Sequence, residues 1–417
     1  MKRNNLRTRL FMCILAFAGS VLLIGYRQMA LPCFAAQRTY TVGPDSKPCD
    51  PAFAKYSTYN RYTKHYYLLR SYMEKFEKAG GGTLILKKGT YNLSVTVYIP
   101  SNVTLKLSDG VVLNKITKTG TSKIKPSKSM FMLCAPSVSK KANKFTAGNY
   151  ADGYTEYNGV HDVKILGSGS VTLKLHSLKG GIGIDMAHNQ NVEISGIRFR
   201  QLGIGHFIEM DAGRNITVSG CSFSAETNGG TNIKEAINLD TPDLTTAGFT
   251  APWSSFDKTA NTEIMIRDCT FTHLCRAIGT HKYSYGHPHT AVTVTGCTFT
   301  DLSNAAITPM YWQDSYITNN TFDETAAGTG RRSIFAAGAA RLTISGNTFS
   351  GMDRAEQFYC WSDSGYPVIY PEVNAAQVTD NTYINVYEPF LRVNESWDET
   401  AGLPLWSRST KIPISVQ

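Results

Sequence analysis

Asp185-Met186-Ala187-His188-Asn189-Gln190-Asn191-Val192-Glu193-Ile194-Ser195-Gly196-Ile197-Arg198-Phe199 is answered by Glu209-Met210-Asp211-Ala212-Gly213-Arg214-Asn215-Ile216-Thr217-Val218-Ser219-Gly220-Cys221-Ser222-Phe223. The offset is 24 residues at both ends, 185 to 209 and 199 to 223. A period of that length, alternating apolar and polar and closed by Gly, Asn or Asp, marks a stack of β-strand coils. The closing phrase returns as Ile264–Phe271, Val292–Phe299, Ile317–Phe322 and Leu342–Phe349, and more weakly as Val378–Tyr383. Stacking these copies sets Cys221, Cys269 and Cys297, then Asn320, Asn347 and Asn381, in one inward column.

The 417 residues suffice for one long solenoid, and the 18% charged residues fit a rod that needs long apolar rows. Lys2, Arg3, Arg7 and Arg9 precede an apolar run from Leu10 to Gly25, with small residues near Ala35. This reads as an export signal over residues 1–35, and an uncleaved anchor is the alternative. Localisation is expected to be secreted or cell-surface. Without those four basic residues and Arg27, the formal charge falls from +10 to +5. That mild excess suits an anionic polysaccharide or a cell wall, with no nucleic-acid partner expected. Monomer and trimer both stay open. Seven cysteines follow Ala35 and no CxxC occurs, which predicts free, structural thiols.

Residues 36–79 form an N-terminal segment, irregular to residue 60. Tyr66, Leu69, Met73 and Phe76 then take helical spacing within Tyr62–Lys78, and Gly80 to Gly82 ends the run. A short helix there would cap the open end of the coils. The coils run over residues 80–383, with excursions at 115–150 and 241–261, and residues 384–417 form a C-terminal cap. The lysine-rich 115–150 excursion reads as a solvated loop with a strand over Ser129–Cys134 inside it. Thr83–Leu86, Thr96–Ile99, Val103–Leu107 and Val111–Leu113 read as strands, with turns at Lys88–Tyr91 and Pro100–Asn102.

Gly81-Gly82-Thr83-Leu84-Ile85-Leu86-Lys87-Lys88-Gly89-Thr90-Tyr91 and Ile99-Pro100-Ser101-Asn102-Val103-Thr104-Leu105 resemble the opening coils of the pectin-lyase-like right-handed parallel β-helix superfamily. The resemblance implies an all-β fold, a right-handed parallel β-helix with a short N-terminal capping helix. It does not fix an activity, because that superfamily hosts hydrolases, lyases, epimerase-like enzymes and adhesive tailspikes. The Asn-Thr-Asp, Asp-Asp and Arg-Ile-Lys elements of polygalacturonases are missing, and Gly205-His206-Phe207 matches only part of their Gly-His-Gly.

Candidate chemistry therefore comes from the coils themselves. Aligning Ile184, Ile208, Ile237, Ile278 and Ile307 faces the isoleucines inward and sets an outer column Asp185, Glu209, Asn238, Gly279, Thr308. Its neighbour reads Ala187, Asp211, Asp240, His281, Met310, and a third, at the strand entrance, reads His206, Glu235, Arg276. Like-charged carboxylates stacked about 4.8 Å apart on an exposed face call for an explanation. Glu209, Asp211 and Asp240 are the candidate catalytic carboxylates, with Glu209 and Asp240 about 8 Å apart on the diagonal. Asp185, His206, Glu235, Asn238, Arg276, His281 and Lys282 would support them or touch substrate. Tyr283, Tyr285, Tyr311, Trp312 and the Trp253 loop would supply stacking faces for sugars, and Gly279 would leave room for a ligand. No cofactor is required. Calcium on Glu209, Asp211 and Asp240 is the metal site the clustering admits, ahead of one on His281, His287 and His289.

The first function this supports is a secreted glycoside hydrolase acting on a polysaccharide through paired carboxylates. A polysaccharide lyase is the alternative, with His281 or Lys282 as base and Arg276 or calcium neutralising a uronate. A non-catalytic surface adhesion protein is the third.

Overall fold

The computed structural model describes residues 38–141, 153–225, 234–323, 332–363 and 365–414. The export signal expected over residues 1–35 lies outside them, as do residues 142–150 of the first excursion. Among the described residues no helix is long and apolar enough to cross a membrane.

Parallel strands stack into coils. Among the described residues, twenty strands belong to one long sheet and eleven to a second. The register follows the sequence repeat: Val192 pairs with Ile216, Ile216 with Ile264, and Ile264 with Val292. Each coil turns between two strands at a residue in the left-handed region. Gly196, Gly220, Asp268, Gly296, Asn319, Gly346 and Asp380 occupy that corner, with φ between 54° and 68°. Glycine takes this conformation freely, and Asn and Asp tolerate it best of the rest, which explains the repeated Gly/Asn/Asp.

The interior is filled by ladders. Phe199, Phe223, Phe271, Phe299, Phe322 and Phe349 stack with centroids 4.7–5.0 Å apart. That separation is one strand spacing, so each ring lies flat on the next. Cys221, Cys269 and Cys297 are buried, and all seven described cysteines are free, as expected. The column then turns polar. Asn320 Nδ2 donates to Asn347 Oδ1 (3.0 Å), and Asn347 Nδ2 donates to Asn381 Oδ1 (3.0 Å). Each of these amides also donates to a backbone carbonyl, so the buried polar column is satisfied.

The capping helix runs Lys64–Ala79 and ends at Gly80 (φ 78°), where the Gly81 N–H reaches Phe76 O at 2.9 Å. Tyr66, Leu69, Met73 and Phe76 are buried over the first coils, as the spacing predicts. Two local expectations fail. Thr39–Val42 is a strand paired to Gly82–Leu86, and Gly89–Leu93 is a strand rather than a turn. Tyr91 explains the second, because its ring enters the core while its hydroxyl donates to Val42 O and Lys87 O. Ser129–Leu133 is the strand expected within the first excursion and joins the second sheet beside Ile182–Ala187. Lys115 departs from the solvated-loop reading: it is buried and donates to Leu93 O, Ser94 O and Ser127 Oγ, and burial brings its pKa down to about 7. At the far end Leu391–Asn394 is closed by the antiparallel strand Ser409–Ile412.

The isoleucine column of the second sheet holds a carboxyl among its apolar side chains. Glu356 pairs with Ile334 in the isoleucine column, is fully buried, and accepts from Tyr383 Oη at 3.0 Å. Burial raises its pKa to about 8. The folded protein thus keeps a proton that the unfolded chain releases near pH 4.5, so stability falls as pH rises from there toward 8. The slope from this group is about 1.4 kcal/mol per pH unit. In thermal or urea unfolding followed from pH 5 to pH 8, Glu356→Gln is expected to lose less stability than the parent. Equal losses would show that the core carboxyl stays ionised.

Candidate cleft on the second sheet

The outer columns are assembled by strand pairing in the second sheet. Asp185 in Ile182–Ala187 sits beside Glu209 in His206–Asp211, and Glu209 sits beside Asn238 in Glu235–Asp240. Asp211 pairs with Asp240, Glu235 with Arg276, and Asn238 with Gly279. The expected columns are therefore present in register. Their exposure is not as expected. Asp185, His206, Glu209, Asp211, Glu235, Asn238 and Asp240 are all at most 5% exposed.

The cover comes from the 241–261 excursion. Tyr154 N donates to Trp253 O (2.9 Å) and Ser255 N to Tyr154 O (2.9 Å). Below it, His188 Nδ1–H donates to Glu156 O (2.9 Å), which leaves Nε2 to accept from Ser254 Oγ–H (2.7 Å). Phe249 and Trp253 pack against Cys134 and Ala187. The excursion is thus a wall sealed by a small apolar cluster, and Trp253 is part of that seal rather than a sugar platform.

A cavity of about 570 Å³ remains. Asp185, Glu209, His206 and His281 reach it; Ala247–Ala251 form one wall and Lys128, Lys179, Lys234 and Lys282 contribute ammonium groups. Asp211 and Asp240 do not line it. Asp240 Oδ1 accepts the backbone N–H of His281 (3.1 Å) and of Lys282 (3.0 Å), so it shapes the turn that carries both side chains. Asn261 supports the same turn region, donating to Met210 O and Asp240 O.

The acids differ in state. Burial, and then the charge of Asp240, hold the Glu209 carboxyl well above the usual range, although Asn238 Nδ2 donates to Glu209 Oε1 at 2.8 Å. Glu209 Oε2 lies 3.3 Å from His206 Nε2. Burial raises Asp185 to about 6, against the hydrogen bond from Ser129 Oγ at 2.7 Å. Asp211 is raised by burial and by Glu209 and Asp240, and Asp240 by burial against the pull of His281. Burial also works against Glu235, yet His281, His206 and Arg276 outweigh it and bring it to about 2. Arg276 donates to Glu235 Oε1 at 3.1 Å. Burial and the neighbouring His281 lower His206 to about 3. Burial opposes protonation of His281, and Asp240 with Glu235 reverse that and raise it.

The aromatic expectations are corrected. Trp312 lies in the core and donates to Thr280 Oγ1 (2.8 Å). Tyr283 is buried, accepting from Asp363 N (3.0 Å) and meeting Tyr311 edge-on. These side chains follow the coil turn back inward, so they fill the wall instead of lining the cavity. Tyr285 does stay exposed, stacked on Tyr366. Gly279 is not a ligand gap either: a Cβ there would lie 1.9 Å from Thr308 Oγ1, so the neighbouring coil already fills the space. His289 is buried and accepts from Asn261 N, which removes it from any site with His281 and His287. Among the described residues, the set whose donor atoms lie within 4.8 Å of one another is His206, Glu235 and His281, not Glu209, Asp211 and Asp240. Sequence reading missed Ser129, which opens the strand beside Ile182–Ala187, and Lys128, Lys179 and Lys234, which the coils bring alongside from separate connections.

Comparison with known proteins places the fold. Residues 154–322 match the family model described as a right-handed β-helix region. PfbA, a surface adhesin of Streptococcus pneumoniae, superposes with a TM-score of 0.51 at 17% identity, over 78% of each chain. The A-module of the Azotobacter vinelandii mannuronan C-5 epimerase AlgE6 gives 0.49 at 15% identity, over 76% of this chain and 81% of its own. The tailspike of E. coli bacteriophage HK620, solved with a hexasaccharide, gives 0.45 at 15% identity, over 83% and 67%. No curated protein matches the sequence. The fold is a right-handed parallel β-helix, and the resemblance of the opening coils to pectin-lyase-like proteins holds at that level.

The His188–Ser254 contact is expected to fix the excursion over the cavity. His188→Ala should cost about 1–3 kcal/mol locally by leaving buried partners unpaired. Limited proteolysis should then cut within residues 241–261 several-fold faster, with cleavage elsewhere in the coils unchanged. An unchanged cleavage rate would show that the apolar cluster alone holds the wall.

Proposed function

We propose that this β-helix is an exported carbohydrate-active protein that takes a polysaccharide in the second-sheet cleft and cleaves it as a glycoside hydrolase. The observation that carries the reading is the pairing of Asp185 with Glu209 on adjacent coils, both reaching one cavity, and burial holds the Glu209 carboxyl well above its usual range. Glu209, kept neutral, is placed to give its proton to the leaving glycosidic oxygen. Asp185, ionised above pH 6, is placed to activate water or attack the sugar carbon. This replaces the Glu209–Asp240 pair suggested by the columns, because Asp240 is turned to the backbone of His281 and Lys282. Four lysines at the cavity favour an acidic saccharide.

The same lysines support a second reading, β-elimination from a uronate with His281 as the base. Binding without cleavage, as an adhesin would do, is the third outcome of one experiment. The protein and its Glu209→Gln and Asp185→Asn variants are incubated with acidic and neutral polysaccharides, following reducing ends and ultraviolet absorbance together. New reducing ends without absorbance, reduced at least 100-fold in Glu209→Gln, are expected. Absorbance rising with the reducing ends would move the assignment to elimination. Retained polysaccharide binding with no product from any protein would leave a binding role.

A further inference from the structure

We propose that His206, Glu235 and His281 form a seat for one divalent transition-metal ion beside the cleft. One donor atom of each lies within 4.8 Å of the others. The inference rests on this geometry and does not depend on the hydrolase reading.

The decisive feature is the crowd of acceptors around His281 Nδ1. Asn238 Oδ1 lies at 3.0 Å, Glu235 Oε2 at 3.4 Å and Asp240 Oδ2 at 3.5 Å. A single N–H serves one of them. Glu235 Oε2 and Asp240 Oδ2 are buried with no hydrogen bond. Both oxygens reach only the one His281 nitrogen, which cannot serve both, whereas a metal cation satisfies several such oxygens at once. An ion with ligands at 2.0–2.2 Å sets neighbouring donors roughly 3.0–3.6 Å apart, which is the spacing around Nδ1.

The flanking groups are oriented for ligation. His206 Nδ1–H donates to Glu235 O at 2.6 Å, which leaves Nε2 with its lone pair. Arg276 holds Glu235 through Oε1 and leaves Oε2 directed toward His281. The His206 and His281 rings are nearly parallel (20°) with centroids 5.4 Å apart, so an ion held by both lies at the ring edges, not between the faces. Both histidines border the cavity, which leaves a coordination position open to water or a ligand oxygen. Lys234 Nζ lies 3.3 Å from His281 Nε2, and because metal on Nδ1 puts the imidazole proton on Nε2, this contact must open for the ion to bind. Two imidazoles and a carboxylate select zinc, manganese or iron(II) over calcium.

The test is calorimetric titration of chelator-treated, tag-free full chain with Zn²⁺ and with Mn²⁺. One ion per chain is expected, with affinity falling at least tenfold in His281→Ala and Glu235→Gln and unchanged in His287→Ala. Added ion should raise the thermal midpoint of the parent and not of the two seat variants. If a variant does not fold, Co²⁺ added to the parent provides the second measurement: a visible absorption band displaced by Zn²⁺ reports imidazole ligation. Absence of binding by either ion, or equal affinity in the folded seat variants, or no Co²⁺ band, overturns the proposal.

Discussion

Everything in this molecule depends on parallel strands stacking at one fixed height. At about 4.8 Å per coil, a residue at a given place in the repeat must lie directly on its counterparts above and below. The phenylalanine ladder shows the constraint met inside, where flat rings stack 4.7–5.0 Å apart along the core. The asparagine ladder shows the same geometry met with polar groups, each amide donating along the rod to the next. A solenoid cannot adjust one coil without moving its neighbours, so a misfit side chain has nowhere to go. Glu356 is such a misfit, accommodated because it accepts from Tyr383 and keeps its own proton.

The same stacking acts on the outer face, where its effect is opposite. Inside, like on like is attractive; outside, carboxylates on carboxylates repel. Asp185, Glu209, Asp211 and Asp240 are brought together by register alone and then covered by the 241–261 excursion, which deprives them of water. Their raised proton affinities follow from that cover first, and Glu209 and Asp211 are raised further by the neighbouring carboxylates. Glu235 is the exception, and its neighbours explain it: two histidines and Arg276 surround it. Burial thus separates the carboxyls into ionised and neutral members, which a chemically useful cleft needs.

The coils were legible because a repeated pattern carries its own register. Matching Ile208 with Ile237 and Ile278 sets the outer columns as surely as it sets the core, and the structure reproduces those pairings. What lies between coils was not legible. The 241–261 excursion has no repeat to align, so nothing in its sequence says that it folds back onto Cys134 and Ala187 instead of projecting into solvent. That single fold-back turns an exposed acidic face into a buried one and moves Trp253 out of the cleft. Tyr283 and Trp312 were misread for a related reason: alternation predicts facing within one strand, and Tyr283 stands past the end of Arg276–Gly279 while Trp312 already opens a strand of the long sheet, beside His289, with its ring in the core. The lysines at the cavity come from separate turns far apart in sequence, so only the stacked structure shows them as a set.

Charge arrangement ties these elements to ligand choice. Lys128, Lys179, Lys234 and Lys282 line the same cavity as the largely buried Asp185 and Glu209. Were the acids all ionised and exposed, they would repel an anion drawn to the lysines and cancel that attraction. Keeping Glu209 neutral under the excursion removes one such charge, and Asp240 is neutralised locally by the backbone N–H groups it accepts and by His281. The cover over the acids is therefore also what lets lysines and carboxyls share one cavity.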